Sequence, residues 1–395
     1  MSVVGPQGFE AAGIEAGLKS GSYKDIALVL NTGPLNVAAA LFTTNRFFAA
    51  PVAWSREVVS DGTARAVVLN SGGANACTGS AGFADCVAEA EHCQIVLSQV
   101  KGVEIRVKDI FVLSTGIIGE RLPMPKILSG ISDAVVHLGR APEDGQAAAH
   151  AIMTTDTVPK EVWVERDGWS VGGMAKGAGM LAPELATMLV VLTTDAVIDS
   201  HTAYHALKRA TDLTFDRIDA DGCMSTNDSV VLLASGASGV SPSFDEFQEA
   251  LSSACGELAA KLIADAEGAS HFIEITVRHA STIEAALAVA RAVGRSALVK
   301  TAIFGNDPNW GRILSAAGTV PYDIAPFEPS NVYVTINGVQ ICQRGAIGEP
   351  RDRVNLRNNR EVQITIDLGA GDATATLHTS DLSYDYVREN SAYSS

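Results

Sequence analysis

The sequence predicts an α/β fold, and three observations carry that reading. Short apolar runs of strand length recur along the whole chain, a long stretch of helical periodicity interrupts them, and two further helix starts carry capping chemistry. In the first half, Ile26–Leu30, Val37–Phe42, Ala66–Leu69, Phe111–Leu113 and Val162–Val164 read as strands. Between them, Gly82 to Val100 reads as a helix, because Phe83, Val87, Ile95, Val96 and Val100 recur at helical spacing. Pro142 to Gly168 is the least regular stretch, with turn residues at Pro142, Pro159 and Asp167-Gly168.

In the second half, Ser243-Phe-Asp-Glu246 and Ser281-Thr-Ile-Glu284 both have the form of a capping box, in which side chains satisfy the first free amides of a helix. The first helix runs through Leu251, Leu258 and Leu262 towards Gly268, and the second carries Ala286, Val289 and Val293. Met188–Leu192, Val230–Leu233, Phe272–Val277, Val332–Ile336 and Val362–Ile366 read as strands. There is no low-complexity linker and no internal repeat.

At 395 residues the chain suits two domains or one large α/β unit. With 29 basic against 45 acidic side chains, its formal charge of −16 argues against nucleic acid and anionic membranes as partners, so an acidic substrate would need a local positive pocket. The six cysteines form no C-x-x-C pair and are expected to be reduced; without a histidine cluster beside them, no metal site is expected. No signal-like N-terminus and no apolar span of membrane length is present, so a cytoplasmic location is expected.

The most informative string runs from Lys176 to Asp195, KGAGMLAPELATMLVVLTTD. Gly177, Gly179 and Pro183 predict irregular backbone from Lys176 to Ala186, after which Met188 to Leu192 becomes a buried strand. Thr187 stands at that junction. Its residue type and position leave two readings open: a β-branched packing residue, or a nucleophile whose own α-amine serves as base once the Ala186–Thr187 bond is cut. Other blocks stand out: NSGGANACTG (70 to 79), STGIIG (114 to 119), MTTDT (153 to 157), STNDS (225 to 229), DAEGAS (265 to 270), NDPNWGR (306 to 312) and the terminal ENSAYSS (389 to 395).

Together and in this order, these blocks resemble the ornithine acetyltransferase family, the glutamate N-acetyltransferases of arginine biosynthesis. The resemblance covers nearly the whole chain. It implies a self-processed N-terminal-nucleophile enzyme: mixed sheets packed with helices in an αββα-type sandwich, with a smaller second α/β domain. Residues 1–186 would form one chain, and residues 187–395 a second chain beginning at Thr187. The implied reaction moves an acetyl group from N2-acetylornithine to glutamate through acetyl-Thr187, with no cofactor, acetyl-CoA being a candidate second donor. The implied assembly is a heterotetramer of two copies of each chain.

By the same resemblance, Thr115 and Gly116 form the oxyanion hole, Thr154, Lys176, Thr187, Glu267, Asn390 and Ser395 bind substrate, and Glu267 is also a catalytic residue that pairs with the ornithine ammonium or shuttles protons. Each position has a plainer reading. Ser114-Thr-Gly116 is also an ordinary turn after a strand, Lys176 a solvated lysine, and the tail from Asn390 to Ser395 a fraying end. Glu267 falls near the C-terminal end of the predicted helix, where the macrodipole disfavours an anion, and this favours a functional role. One departure is His271, where the family generally has lysine, making a permanent charge pH-dependent. An amidohydrolase or aminopeptidase with the same N-terminal nucleophile is the alternative activity. No phosphate-binding glycine string supports a non-enzymatic ligand-binding role.

Overall fold

In a computed structural model of the chain, the described residues are 2–181 and 188–392. The Ala186–Thr187 bond and Ser395 lie outside them. The first part of the chain contains β1 (Phe9–Ile14), β2 (Ile26–Asn31), β3 (Val37–Phe42), α1 (Ala50–Val58), β4 (Ala66–Asn70), α2 (Gly79–Lys101), β5 (Ile110–Ser114) and α3 (Met124–Val136). It continues with α4 (Pro142–Ala151), β6 (Lys160–Arg166), β7 (Trp169–Lys176), β8 (Leu189–Thr194), α5 (Ser200–Leu213), β9 (Ser229–Ala234) and α6 (Phe244–Ala264). A last portion has β10 (Phe272–Ala280), α7 (Ile283–Gly294), α8 (Ala297–Phe304), α9 (Trp310–Ala317) and β11 (Tyr333–Ile336). It ends with β12 (Val339–Gln343), β13 (Ala346–Ile347), β14 (Glu361–Asp367), β15 (Ala373–Ser380) and α10 (Tyr384–Ala392).

The strands form three mixed sheets, ordered β1-β2-β4-β5, β3-β9-β8-β7-β6 and β13-β12-β11-β14-β10-β15. Two of them lie face to face, as the side-chain alternation of β8 and β9 shows. Leu189, Val191, Val231 and Leu233 point into one apolar core together with the residues of the first sheet, while Val190, Leu192, Val230 and Leu232 point into a second core with α5 and α6. Helices α1 to α3 cover the far side of the first sheet. The result is a helix–sheet–sheet–helix sandwich. It explains why β2, β4, β5, β8 and β9 are apolar throughout rather than alternating, since each is covered on both faces. The six-stranded sheet has its own core with α7, α8 and α9 and makes up the smaller α/β unit.

The capping box at the start of α6 forms as the sequence predicts, with Ser243 Oγ accepting from the Glu246 amide at 3.3 Å and Glu246 Oε2 accepting from the Ser243 amide at 2.8 Å. Helix α7 starts one residue later than its box implied, because the Thr282 hydroxyl, not that of Ser281, accepts from the Ala285 amide. Within Pro142 to Gly168 the irregular segment is confined to residues 152–159, between α4 and β6, apart from the turn at Asp167-Gly168. Pro142 occupies the first turn of α4, where a missing N–H costs nothing, and Asp167-Gly168 is the tight turn between β6 and β7. Lys176 closes β7 rather than opening the irregular segment. Helix α6 ends at Ala264, so Glu267 stands in the following turn and not on the helix end.

One buried ionic cluster fastens this turn to the sandwich. Lys160 Nζ, with its side chain fully buried, lies 2.6 Å from both Asp156 Oδ1 and Asp265 Oδ2. Burial alone would raise the Asp156 pKa, but the Lys176 and Lys160 ammonium groups and the Gly177 amide outweigh it and hold the carboxyl below its usual value. A carboxyl depressed in the folded state stabilises the fold above its unfolded pKa of ~3.9, and that contribution disappears as pH falls through the lower folded value. We therefore expect Lys160→Met, which strands two buried carboxylates, to cost about 3–5 kcal/mol in urea unfolding at neutral pH and to flatten the loss of stability below about pH 4. Equal stability of variant and parent would contradict the buried pairing.

Candidate active site

Of the residues singled out from the sequence, those among the described residues converge on one cavity of about 80 Å³, lined by Thr115, Gly116, Thr154, Thr155, Lys176, Gly179, Met180, Glu267 and Asn390, while Thr187 and Ser395 fall outside the described residues. Thr115 and Gly116 follow the end of β5. The Thr115 amide is engaged by the Asn70 carbonyl at 3.0 Å, so it is the side-chain hydroxyl that remains available to a ligand. Lys176 Nζ donates to that oxygen at 3.3 Å, which directs the hydroxyl proton away from the ammonium. Gly116 has φ of +135° and its Cα lies against Gly73, where a β-carbon would approach the Gly73 backbone to 2.9 Å. Its amide makes no hydrogen bond among the described residues. A hydroxyl and an amide are therefore left free side by side, the donor pair that a developing oxyanion requires.

Lys176 is 2% exposed, and burial pulls its pKa below the ordinary lysine value, with Asp156, Asp228 and Glu267 opposing that fall. It places a basic side chain inside a chain of net charge −16. Asp156 organises the wall beside it. Its Oδ1 accepts from the Gly177 amide at 2.7 Å and from Lys160, while its Oδ2 accepts from the Thr154 amide at 3.0 Å. One carboxylate thus fixes both the threonine turn and the start of the glycine loop. Within that loop, Met180 adopts a left-handed φ of +51°, a conformation uncommon outside glycine.

On the opposite side, the Glu267 amide donates to the Ala178 carbonyl at 3.0 Å. Glu267 Oε2 accepts from Asn390 Nδ2, also at 3.0 Å. Asn390 stands on α10, so the terminal segment is a docked helix over the described residues and not a frayed tail. The docking is specific: Gly268 has φ of +60°, a β-carbon there would come within 2.1 Å of the Tyr386 amide, and the Ser383 hydroxyl donates to the Gly268 carbonyl. Asp381 ties the same turn down by accepting from the Ser270 and His271 amides at 2.9 and 3.1 Å. His271 Nδ1 lies 2.8 Å from Asp381 Oδ2, so the residue that departs from the family lysine holds the turn and does not line the cavity.

A wider groove of about 810 Å³, bordered by Lys19, Tyr23, Lys24 and His150, meets the cavity at Thr154. Burial brings the Lys19 pKa down to about 8. The Asn306–Arg312 string lies elsewhere: Asn309 caps α9 by accepting from the Arg312 amide at 3.2 Å, a structural role. Two residues to which the sequence reading gave no individual role are Asp156 and Asp228, although it marked the strings that hold them. Each is a lone carboxylate inside a threonine- or serine-rich string, and that isolation was the available signal. Among the described residues, no three His, Cys, Asp or Glu side chains gather to hold a metal, and no helix is long and apolar enough to cross a membrane.

A sandwich of two mixed sheets bearing a small polar cavity, with a hydroxyl–amide pair beyond the end of one strand and a buried lysine at the end of another, defines a site built for handling an acyl group. The chain belongs to the ArgJ family, which matches residues 10–395. The arginine biosynthesis bifunctional protein ArgJ of Thermobifida fusca is 54% identical over 394 residues, covering all of both chains. That of Streptomyces coelicolor is 55% identical over 395 residues, again covering both completely. Among solved structures, ornithine acetyltransferase from Mycobacterium tuberculosis in complex with ornithine is 51% identical, covering 48% of this chain and 96% of that one, with a TM-score of 0.46. The bifunctional ArgJ protein from Bacillus halodurans is 36% identical, covering 51% and 97%, with a TM-score of 0.48.

Because Gly268 seats α10, Gly268→Ala should leave the sandwich folded while freeing the terminal helix. Limited proteolysis should then remove the C-terminal residues faster than in the parent, whereas unchanged protection would show that α10 docks without this contact.

Proposed function

We propose that the protein transfers an acetyl group from N2-acetylornithine to glutamate through an acetyl ester on Thr187, after cutting itself between Ala186 and Thr187. The observation that carries this reading is the convergence of Thr115, Gly116, Thr154, Lys176, Glu267 and Asn390, scattered over most of the sequence, on one cavity beside the strand that follows residue 187. Family membership and the ornithine bound to the Mycobacterium relative support it.

In the cutting step, the Thr187 hydroxyl attacks the Ala186 carbonyl carbon and the Thr187 nitrogen leaves as an amine, giving an ester that water hydrolyses to free the Ala186 carboxylate. The new α-amine, with a reference pKa of ~8, then accepts the hydroxyl proton as Thr187 attacks the acetyl carbon of the donor. The Thr115 hydroxyl and Gly116 amide bind the oxyanion, and ornithine departs carrying the proton. The glutamate α-amine attacks the ester next, a ping-pong sequence that requires water to be kept out while the ester waits. Lys176 supplies the positive charge for a substrate carboxylate, and Glu267 with Asn390 receives the ornithine ammonium or moves a proton. Ser395 completes the substrate contacts. Acetyl-CoA, if used as a donor, would extend into the groove bordered by Lys19 and Lys24. The active species is a cytoplasmic heterotetramer of two 1–186 and two 187–395 chains.

Purified protein given N-acetylornithine and glutamate should form N-acetylglutamate, and acetyl-CoA tested separately would decide the second donor. Acetate in place of N-acetylglutamate would make the protein a hydrolase of the same nucleophile class. Thr187→Ala should give one uncut, inactive chain on a denaturing gel; cleavage with turnover in that variant would remove residue 187 as nucleophile. Asn390→Ala, which deletes a hydrogen bond worth about 0.5–1.5 kcal/mol, should raise KM for N-acetylornithine up to about tenfold and leave cleavage intact. An unaltered KM would take Asn390 out of the binding site.

A further inference from the structure

Strand β9 is preceded by the polar string Ser225-Thr-Asn-Asp228, whose four residues are all buried and none of which lines the cavity. Two neighbours in it reach to opposite halves of the site. Asn227 Nδ2 donates to the Ser114 carbonyl at 2.8 Å and to the Ala74 carbonyl at 2.6 Å. The Ser114 carbonyl belongs to the peptide bond that leads into Thr115, and the N–H of that same peptide is held by Asn70. The plane that aims Thr115 and Gly116 is thus clamped at both ends, and Asn227 is one of the clamps.

Asp228 reaches the other way. Strands β8 and β9 are parallel and in register, with Leu189 beside Ser229, which brings Met188 level with Asp228. Asp228 Oδ1 accepts from the Met188 amide at 3.0 Å, and the Met188 carbonyl accepts from the Ser229 amide at 3.1 Å. The nitrogen that Asp228 grips is bonded directly to the carbonyl carbon of Thr187. Asp228 is fully buried, and its Oδ2 makes no hydrogen bond of normal geometry among the described residues. Burial drives its pKa well above the usual range, with the Met188 amide and the nearby Ser225 hydroxyl only partly opposing this. The acceptor that Oδ1 supplies to the Met188 amide is one that an asparagine side-chain oxygen can also supply.

We propose that Asn227 and Asp228 form a two-residue strut that sets the separation between the oxyanion donors at Thr115 and Gly116 and the nucleophile at residue 187. This rests on the acetyl-Thr187 reading above. Both residues are positioning residues: they act through the backbone of Ser114 and Met188 and touch no substrate. Because an acyl-transfer site loses rate steeply when nucleophile and oxyanion donors shift by less than an ångström, removing the strut should lower the rate of chemistry and leave substrate binding alone.

The test compares Asp228→Leu, Asp228→Asn, Asn227→Asp and Thr187→Ala. Asp228→Leu keeps the branched shape but cannot accept a hydrogen bond, so it leaves the buried Met188 amide unpaired at some cost to folding. It should stay folded with a lowered melting temperature while self-cleavage and kcat fall about tenfold or more, the scale of one lost positioning hydrogen bond, with KM for both substrates little changed. Asp228→Asn should recover most of the lost rate. Asn227→Asp, which sets a second acceptor against two carbonyl oxygens, should slow both steps as Asp228→Leu does. Should Asp228→Leu fail to fold, Asp228→Ser carries the same expectation for rate. The strut is overturned if the folded Asp228 variants and Asn227→Asp cut and turn over like the parent while Thr187→Ala stays uncut and inactive. Cleavage and turnover by Thr187→Ala would instead overturn the nucleophile assignment, and the strut with it.

Discussion

The carboxylate of Asp156 is the contact on which the site is organised. It takes the amides of Thr154 and Gly177 and the ammonium of Lys160, and it faces the buried Lys176. Through Lys160 the same cluster reaches Asp265 and so the turn that carries Glu267. A buried carboxylate with this many partners is strongly held, since leaving any of them unmatched in a water-poor interior costs more than an exposed pair would gain. The threonine turn, the glycine loop and the glutamate turn consequently share one anchor, although more than a hundred residues separate the first from the last.

Around that anchor the fold supplies rigid positions rather than flexible ones. Thr115 and Gly116 extend the end of β5, Lys176 ends β7, and Asp228 precedes β9, each strand being buried along its length. Lys176 pairs across the sheet with Leu189, so the two ends flanking residues 182–187 are neighbours in the sheet. Small side chains complete the geometry: a β-carbon on Gly179 would lie 2.6 Å from the Glu267 carboxylate, and the same kind of overlap bars one from Gly268 beneath α10. The site is assembled from both sides of the proposed cut, with Thr115, Gly116, Thr154 and Lys176 on one chain and Glu267 and Asn390 on the other. Severing the backbone at residue 187 leaves those contacts intact, because they run through sheets and side chains rather than through the cut bond.

Much of this was legible in the sequence where local chemistry decides the structure. The apolar runs that became β2, β3, β4, β5 and β9, the long helix α2 and the Ser243 capping box each carry their own signal within a few residues. Strands β1 and β7 were not legible, because alanine and glycine fill their middles and break the run of bulky apolar residues that marks a strand. Helix α4 was hidden by its proline, read as a loop signal when it was a first-turn residue. Helix α10 has no buried apolar face, and its docking follows from Gly268 and Ser383, which no local pattern shows. Thr115, Gly116, Lys176, Glu267 and Asn390 were found through family blocks, whereas Asn227 and Asp228 gain their roles from partners 40 to 153 residues away, and Asp156 joins near neighbours to the Gly177 amide 21 residues on. Residue 187 itself, with Ala186 and Ser395, falls outside the described residues.

The most direct test of the account is to incubate the protein with N-acetylornithine in the absence of glutamate, quench it, and map the mass of every peptide. The account predicts a fragment beginning at residue 187 that carries one acetyl group on that threonine, lost again when glutamate is added before quenching. An active protein whose acetyl group maps to another side chain, or which never carries one while turning substrate over, would contradict it.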